Sequence, residues 1–225
     1  MVHRPLHRLT PISLLSGHQV ELWMQRSGGS PTIIVQDKVH VAVLCAISPT
    51  IAWQVEDNGP VEILERIAVP SAPVATYAAI LSWAGASVTA GRITTVPTLS
   101  PTPLFKYYSI ARTAAMLGIE PLVTELSTRF DKLANPDCMR SRAQYQIDTK
   151  EIIDAYRYSK REYGLQEKLV DCIARAIMYG MVGGYTAKMI GNAERVCDQF
   201  SRDLKARKEE LAPRYRPEKA YYQGY

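Results

Sequence analysis

The chain has 225 residues and a mass of 25.2 kDa; 47% of its residues are apolar and 22% are charged, so it can bury a core and is not a disordered protein. Lys and Arg number 27 against 22 Asp and Glu, which gives a formal charge of +5. No run approaches the roughly 20 apolar residues that a membrane helix needs, so we expect no membrane partner. The positive balance alone is compatible with nucleic acid, acidic lipid or an acidic protein as partner.

The four cysteines are Cys45, Cys138, Cys172 and Cys197, and no two of them form a Cys-x-x-Cys pair. Zinc clusters and redox dithiols need at least one close pair, so we expect reduced, buried thiols. The N-terminal segment, predicted to be a flexible arm over 1–18, lacks the apolar stretch of a signal peptide. An intracellular location, in the cytoplasm or the nucleus, is the resulting prediction.

Two strands and a turn follow the arm. Residues 19–25 (QVELWMQ) alternate between apolar and polar side chains, and residues 32–39 (TIIVQDKV) are rich in β-branched side chains. Residues 26–31 (RSGGSP) supply turn chemistry between them. These segments predict a β-hairpin.

Beyond the hairpin the pattern predicts a buried helix and a third strand. The helix begins at His40, runs to about Ile47, and is ended or bent by Pro49. A turn is predicted over 57–60. Residues 62–69 (EILERIAV) then predict a strand with Ile63, Glu65, Ile67 and Val69 on one face.

Three helices are predicted next. Ser71 and Pro73 predict the start of a helix that ends near Gly85 and turns a stripe inward, namely Val74, Tyr77, Ala78 and Leu81. Residues 84–103 read as a loop. A helix over 104–117 is apolar on two sides and ends at Gly118, and another from Glu120 turns inward Leu122, Leu126, Phe130 and Leu133.

The C-terminal part is predicted to be all helical. After a linker over 136–147, Asp148 and Glu151 form a capping-box variant that opens a helical extension over 148–182. Glycines 180, 183 and 184 break this extension. One long helix is predicted over 185–212, followed by a disordered tail over 213–225. Its narrow apolar stripe is the candidate partner-binding face, formed by Met189, Val196, Phe200, Leu204 and Leu211. The same pattern fits equally well a helix that packs on the core of its own chain.

This order of elements predicts the α+β class, a three-stranded sheet flanked by helices and followed by a helical appendage. Four segments resemble, in order, motifs of the BTB/POZ family: 39–49 (VHVAVLCAISP), 67–70 (IAVP), 80–84 (ILSWA) and 108–122 (YSIARTAAMLGIEPL). Residues 148–171 are further similar to the helical extension of short fungal BTB-like proteins. The resemblance places a BTB/POZ-like domain at 19–135.

Residues for catalysis or cofactor binding are not recognised, so we expect neither an enzyme nor a cofactor. There is no Gly-x-Ser-x-Gly or His-Glu-x-x-His motif. In residues 180–188 (GMVGGYTAK), three other residues separate Gly184 from Lys188. A phosphate-binding loop needs Gly, Lys and Ser or Thr in succession. His40, at the start of a helix, favours a structural role, because no second histidine lies near a nucleophile.

The excess positive charge lies outside the BTB-like part. Residues 20–135 hold 8 basic and 9 acidic side chains, whereas residues 136–225 hold 17 basic and 13 acidic ones. Basic residues interleaved with tyrosines after Arg202 make nucleic-acid binding an alternative function, but the acids among them favour an ordinary solvated helix.

The resemblance implies a noncatalytic protein-interaction module that dimerises with itself or scaffolds a partner. A second alternative, also implied by the resemblance, is a substrate adaptor for a cullin-type ubiquitin ligase. Many BTB proteins recruit cullin through a hydrophobic-x-acidic motif, and residues 84–103 contain no acidic side chain, which disfavours this alternative.

Overall fold

The computed structural model describes residues 17–24, 33–58, 65–70, 72–92, 94–95, 104–133, 147–158 and 164–214. The chain divides into two compact units. The first is built from residues 1–97 and 112–123, and the second from residues 98–111 and 124–225. The chain therefore passes from the first unit into the second, returns for a short stretch, and then stays in the second.

The described residues form three strands and nine α-helices. The strands are β1 (Gln19–Met24), β2 (Ile33–His40) and β3 (Arg66–Ala68). The helices are α1 (Val41–Ile47), α2 (Pro49–Asp57), α3 (Val74–Thr89), α4 (Leu104–Met116), α5 (Glu120–Leu133), α6 (Thr149–Tyr158), α7 (Leu165–Met178), α8 (Gly184–Val196) and α9 (Asp198–Leu211). A 3-10 turn, Ala212–Arg214, follows α9. The predicted α+β class is confirmed.

The three strands form one mixed sheet in the order β2-β1-β3. β1 pairs antiparallel with β2, which confirms the hairpin, and pairs parallel with β3. Val20, Leu22 and Met24 are buried, as the alternation in β1 predicts.

The third strand is shorter than predicted. Ile67 and Val69 are buried as expected, but Glu65 is exposed and precedes the strand, and Ile63 lies outside the described residues. A carboxylate without a partner is costly to bury, so the chain keeps Glu65 in water.

The outer strand β2 is irregular. Its register against β1 shifts twice, between Val20 and Leu22 and between Leu22 and Trp23. Lys38 adopts a positive φ of 56°, a left-handed conformation that is uncommon for a residue with a side chain. Extra residues in one strand of a pair bend it and increase its twist, so β2 has the character of a bulged edge strand.

The apolar run after β2 forms two helices, with the break where Pro49 predicts it. α1 ends at Ile47, Ser48 is extended with φ −125° and ψ 104°, and Pro49 occupies the first turn of α2. Proline suits this position because the first helical residue has no intrahelical partner for its N–H. α2 continues to Asp57, so the first residue of the turn predicted over 57–60 is helical; Asn58 follows the helix, and residues 59–60 lie outside the described residues.

Ser48 joins this corner to the one between α4 and α5. Its side chain is fully buried, and its Oγ donates to the carbonyl oxygen of Leu117 at 2.6 Å while accepting from the N–H of Ile51 at 3.2 Å. Gly118 follows with φ +70°, which confirms it as the predicted C-terminal cap. The hydroxyl therefore serves as the N-cap of α2 and satisfies a buried carbonyl at the same time.

Helix α3 is longer than predicted. It continues through Gly85 to Thr89, so residues 84–89 are helix rather than loop. A glycine inside a helix costs about 0.5–1 kcal/mol relative to alanine, which burial of the following turn can offset. Residues 90–92 and 94–95 are not helical, as predicted, and the rest of the predicted loop, Ile93 and residues 96–103, lies outside the described residues.

The buried side of α3 also differs from the prediction. Of the predicted stripe only Tyr77 is fully buried, because Val74 and Ala78 are exposed and Leu81 is partly exposed. The side that is buried consists of Thr76, Tyr77, Ile80, Trp83, Ala84, Ser87 and Val88.

Hydrogen bonds explain which side of α3 turns inward. The Trp83 indole N–H donates to the carbonyl oxygen of Thr94 at 2.7 Å, and the N–H of Thr94 donates to Ser87 Oγ at 3.1 Å. The Tyr77 hydroxyl donates to the carbonyl oxygen of Pro70. These side chains lie on the buried side because each has a hydrogen-bond partner there. A pattern of apolar residues contains no information about such partners.

Helices α4 and α5 follow the prediction closely. The buried positions of α4 lie on more than one side of the helix, as its apolar pattern requires: Leu104, Tyr107, Tyr108, Ile110, Ala111, Thr113 and Ala114. In α5 the predicted inward residues Leu122, Leu126 and Phe130 are buried.

The described part of the second unit is helical. The N–H of Asp148 donates to Glu151 Oε2 at 2.8 Å, which confirms the predicted capping interaction at the start of α6. α7 buries Leu169, Cys172, Ile173 and Ala176 as predicted. Within this unit α9 packs on α7 and α8, and α6 packs on α8.

The prediction of a single helix over 185–212 is wrong. Two helices, α8 and α9, occupy this stretch and are separated by Cys197, which has φ −133° and ψ 89°. The Cys197 N–H still bonds the carbonyl of Ala193 at 2.9 Å, and its own carbonyl receives the N–H of Ser201 at 3.0 Å. A one-residue break between two well-formed helix ends leaves the apolar spacing intact, so the sequence pattern does not reveal it.

No helix in the part of the chain that the structure describes is long and apolar enough to cross a bilayer. The predicted arm over 1–18, linker over 136–147 and tail over 213–225 lie almost wholly outside the described residues.

Replacing Ser48 with alanine should destabilise the first unit by about 2–3 kcal/mol, because it removes the cap of α2 and leaves the buried Leu117 carbonyl without a donor. All three tryptophans, Trp23, Trp53 and Trp83, belong to this unit, so urea unfolding followed by tryptophan fluorescence reports on it. Ser82→Ala, at an exposed position of α3, is the matched control and should change stability by less than about 0.5 kcal/mol. Equal unfolding midpoints for the two variants would contradict the role given to Ser48.

Two glycine substitutions in the first unit should change the free energy of unfolding in opposite directions. Gly118→Ala should destabilise by about 1–2 kcal/mol, since φ is +70° and the added Cβ would lie 3.3 Å from Thr50 Oγ1. Gly85→Ala should stabilise by about 0.5–1 kcal/mol, because the position is helical and nothing lies within 4 Å of the added Cβ. The same fluorescence titration compares them; destabilisation by both would show that α3 is misassigned at Gly85.

Candidate functional site

The five predicted partner-binding residues do not form one surface. Phe200, Leu204 and Leu211 of α9 are buried, Met189 of α8 is partly buried, and Val196 is 66% exposed. The break at Cys197 separates the two helices, so positions that would line one face of a straight helix no longer do so. Three of the five residues are thus core residues.

The remaining two, Met189 and Val196, lie on one side of α8, which is exposed at Val196 and partly buried at Met189, where Thr149 Oγ1 lies 3.5 Å from the sulfur. Tyr185, Met189, Asn192 and Val196 are spaced four, three and four residues apart, which places them on one side of the helix; we call this set the α8 outer face. Tyr185 is 68% exposed, comparable to Val196. The inward side of α8 is formed by Thr186, Ile190 and Ala193.

Basic side chains border the α8 outer face. Lys188 and Arg195 are both exposed and lie seven residues apart, two turns of the helix. Arg195 donates to Asn192 Oδ1 at 2.7 Å and to the carbonyl oxygen of Gly191 at 3.2 Å, which holds its guanidinium beside the face. The face therefore combines apolar side chains with a positive border.

A second exposed aromatic side chain lies on α2. Trp53 is 62% exposed, on the opposite side of the helix from the buried Ile51 and Val55. Around it on the same side are Thr50, Glu56 and Asp57, all exposed; we call Thr50, Trp53, Glu56 and Asp57 the α2 outer face.

Trp53 is not among the predicted site residues, because the run from His40 to Val55 (HVAVLCAISPTIAWQV) is nearly all apolar and does not mark one side as outward. The signal was present, however. Trp53 lies two residues from each of two inward positions, Ile51 and Val55, and three and four residues before two acids. A helical phase taken from Pro49 therefore places the indole on the polar side.

Charged side chains of the second unit pair with one another. Asp171 accepts from Arg207 Nε at 2.6 Å and from Arg175 Nε at 3.1 Å, and Arg207 also contacts Glu210. The Arg207–Asp171 pair connects α7 to α9, and the other two pairs each lie within one of these helices. They stabilise the helical packing, because both arginines and Asp171 are partly buried.

The basic residues that suggested nucleic-acid binding are balanced in α9. This helix carries Arg202, Lys205, Arg207 and Lys208, but also Asp198, Asp203, Glu209 and Glu210. Arg207 is engaged by Asp171. The tyrosines of 215–225 lie outside the described residues. Helix α9, which makes up most of the described part of this region, therefore has no net charge.

Two ionisable groups of the second unit are held in their protonated form. The Tyr156 hydroxyl donates to Asp203 Oδ2 at 2.9 Å, and burial, reinforced by this hydrogen bond, raises its pKa. The Cys172 thiol donates to the carbonyl of Phe130 at 3.3 Å, and burial raises its pKa as well. A protonated, buried thiol is a poor nucleophile, so Cys172 is structural.

Of the other cysteines, Cys45 and Cys197 are free and partly buried, and Cys138 lies outside the described residues. Among the three described cysteines, the prediction of a buried thiol therefore holds fully for Cys172 only.

His40 belongs to the strand pairing. It lies opposite Gln19 in the β1–β2 register, and its Nε2 is 2.9 Å from the side-chain amide nitrogen of Gln19. This contact at the entrance to α1 agrees with the structural role expected for this histidine.

Among the described residues, no group of three or more His, Cys, Asp or Glu side chains is arranged to hold a metal ion. Comparisons of the chain with protein-family models, with curated proteins and with solved structures found no match in any of the three. A functional assignment therefore depends on the side chains of this protein.

The raised pKa of Tyr156 predicts that stability falls at alkaline pH. The unfolded tyrosine loses its proton near its ordinary value of 10.0, while the folded one retains it to higher pH. Stability from this group is thus complete below pH 10 and is lost as pH rises beyond it. Tyr156→Phe should lose less stability between about pH 9 and 11 than the wild type does, measured by urea unfolding with circular dichroism. Tyr185→Phe, at an exposed position, is the control; a loss as steep in Tyr156→Phe as in this control would contradict the prediction.

Proposed function

We propose that this protein is a noncatalytic protein-interaction module with a BTB/POZ-like core, acting by self-association or by holding a protein partner. The observation that carries the proposal is the presence of large apolar side chains in solvent on two helix faces, Trp53 on α2 and Tyr185 with Val196 on α8. Aromatic side chains of this kind are enriched in protein interfaces, where their burial supplies much of the binding free energy.

The order of elements supports a BTB/POZ-like core. The resemblance implies a strand followed by a helix that starts at a histidine, and α1 begins directly after His40. It further implies a Ser-Pro pair at the end of that helix, here Ser48 and Pro49, then a strand leading to Pro70 and a helix carrying Trp83. Each of these elements is present in that order.

A contact between two of the motifs supports the core further. Ser48 belongs to the first motif and Leu117 to the fourth, 69 residues later. The side-chain hydroxyl of Ser48 nevertheless donates to the main-chain carbonyl of Leu117. A contact between the two motifs is expected if both belong to one set of packed helices.

The two alternative functions stay predictions. Nucleic-acid binding draws no support from the balanced charge of α9. Cullin binding depends on a segment of which residues 96–103 lie outside the described part of the chain.

Site-specific photo-crosslinking tests the proposal. Benzoylphenylalanine is introduced in place of Trp53 or, separately, of Tyr185 in the full chain, expressed in cells and irradiated. We expect discrete protein adducts at both positions, because an interface excludes water and holds the partner in reach. A self-adduct would migrate at twice the 25.2 kDa mass of the chain, and adducts with other proteins at other masses.

The matched control positions are Ser82 on α3 and Lys106 on α4, both exposed and both helical. Adducts at these positions should be at least several-fold weaker. Absence of adducts at Trp53 and Tyr185, or equal yields at all four positions, would refute the proposed interaction function.

A further inference from the structure

The two outer faces carry charges of opposite sign. α2 contains no basic residue, and its outer face ends in Glu56 and Asp57. The α8 outer face is bordered by Lys188 and Arg195. Each face also presents at least one large apolar side chain to solvent. The acidic α2 outer face and the basic border of the α8 outer face are therefore complementary in charge.

We propose that the α2 outer face of one copy of this protein binds the α8 outer face of a second copy. This inference rests on the proposed function and names the partner: a second molecule of the same chain, joined through two different surfaces. Charge complementarity between the two faces is what selects this occupant.

The dimensions of the faces fit this pairing. Lys188 and Arg195 lie about 10 Å apart along the axis of α8, since seven residues rise 1.5 Å each. Met189 and Asn192 lie between them along the helix. An indole placed there would lie against Met189 and Asn192 with a cation at each end, and cations are attracted to the face of a tryptophan ring.

The acids of the α2 outer face would gain from a basic neighbour. Glu56 and Asp57 lie in the last turn of α2, where the helix macrodipole is negative and basic residues are favoured. No basic residue occupies that turn. Lys188 or Arg195 of another copy would provide the missing positive charge and offset the unfavourable interaction with the dipole.

Joining two different surfaces has a consequence for assembly. Every copy that uses its α2 outer face still has its α8 outer face free, so association continues past the dimer unless a ring closes. Contacts made by one helix face on each side are small for a protein interface, so we expect dissociation constants of roughly 10–100 µM.

The test is sedimentation equilibrium of the full chain from about 1 to about 500 µM, a range that brackets the affinity expected of a small interface. The weight-average mass of the wild type should rise from 25.2 kDa to more than twice that value. Raising the salt concentration from about 0.05 to 0.5 M should weaken the association several-fold, because the charges are exposed.

Charge reversal identifies the surfaces. Glu56→Lys with Asp57→Lys on α2, or Lys188→Glu with Arg195→Glu on α8, should each weaken self-association at least tenfold. Mixing the two reversed proteins should restore it, because the basic α2 face then meets the acidic α8 face, and the unaltered faces of the two proteins also match. Arg202→Glu with Lys205→Glu, at exposed positions of α9, is the matched control and should associate like the wild type.

The outcomes separate this inference from the function on which it rests. A wild type that stays monomeric over the whole range, reversals without effect, or reversed proteins that fail to complement each other would each overturn the α2–α8 pairing. Crosslinks from Trp53 or Tyr185 to other proteins would in those cases still uphold an interaction module. Circular dichroism checks that the variants are folded, and Trp53→Ser, which alters no charge, should weaken association independently of the reversals.

Discussion

The hydrogen bond from the Ser48 hydroxyl to the Leu117 carbonyl is the contact on which the first unit depends. It lies where two helix corners meet, and both corners need an unusual residue there. One needs a side chain small enough to be buried and polar enough to cap α2, and the other needs a glycine at a positive φ. A buried carbonyl left without its donor would cost more than the bond contributes, so this contact excludes other arrangements of the corners more than it strengthens this one.

The elements that local chemistry determines could be predicted from the sequence. The alternation in β1, the proline break before α2, the glycine after α4 and the glutamate cap of α6 all depend on residues within one turn or one strand. The buried side of α3 could not be predicted, because Trp83 and Ser87 are drawn inward by Thr94, which lies beyond the end of the helix. Apolar periodicity reflects the free energy of transferring apolar side chains from water to the core, whereas hydrogen bonds select which side of α3 is buried.

The candidate site shows the same limit in another form. A stripe at constant helical spacing was expected to bind a partner, but a single non-helical residue, Cys197, assigns its C-terminal half to the core and leaves Val196 in solvent. Conversely, Trp53 was hidden within an apolar run and proves to be exposed. Hydrophobicity alone identifies neither class, because the phase of each helix decides which apolar residue is buried and which is offered to a partner.

The irregular edge strand β2 limits how this protein can associate. Strand addition needs an outer edge with evenly spaced N–H and C=O groups, and two register shifts together with the left-handed Lys38 interrupt that spacing. An incoming strand would find its ladder broken at the middle of β2 and a charged side chain beside the break. This edge of the sheet is thereby protected against edge-to-edge aggregation.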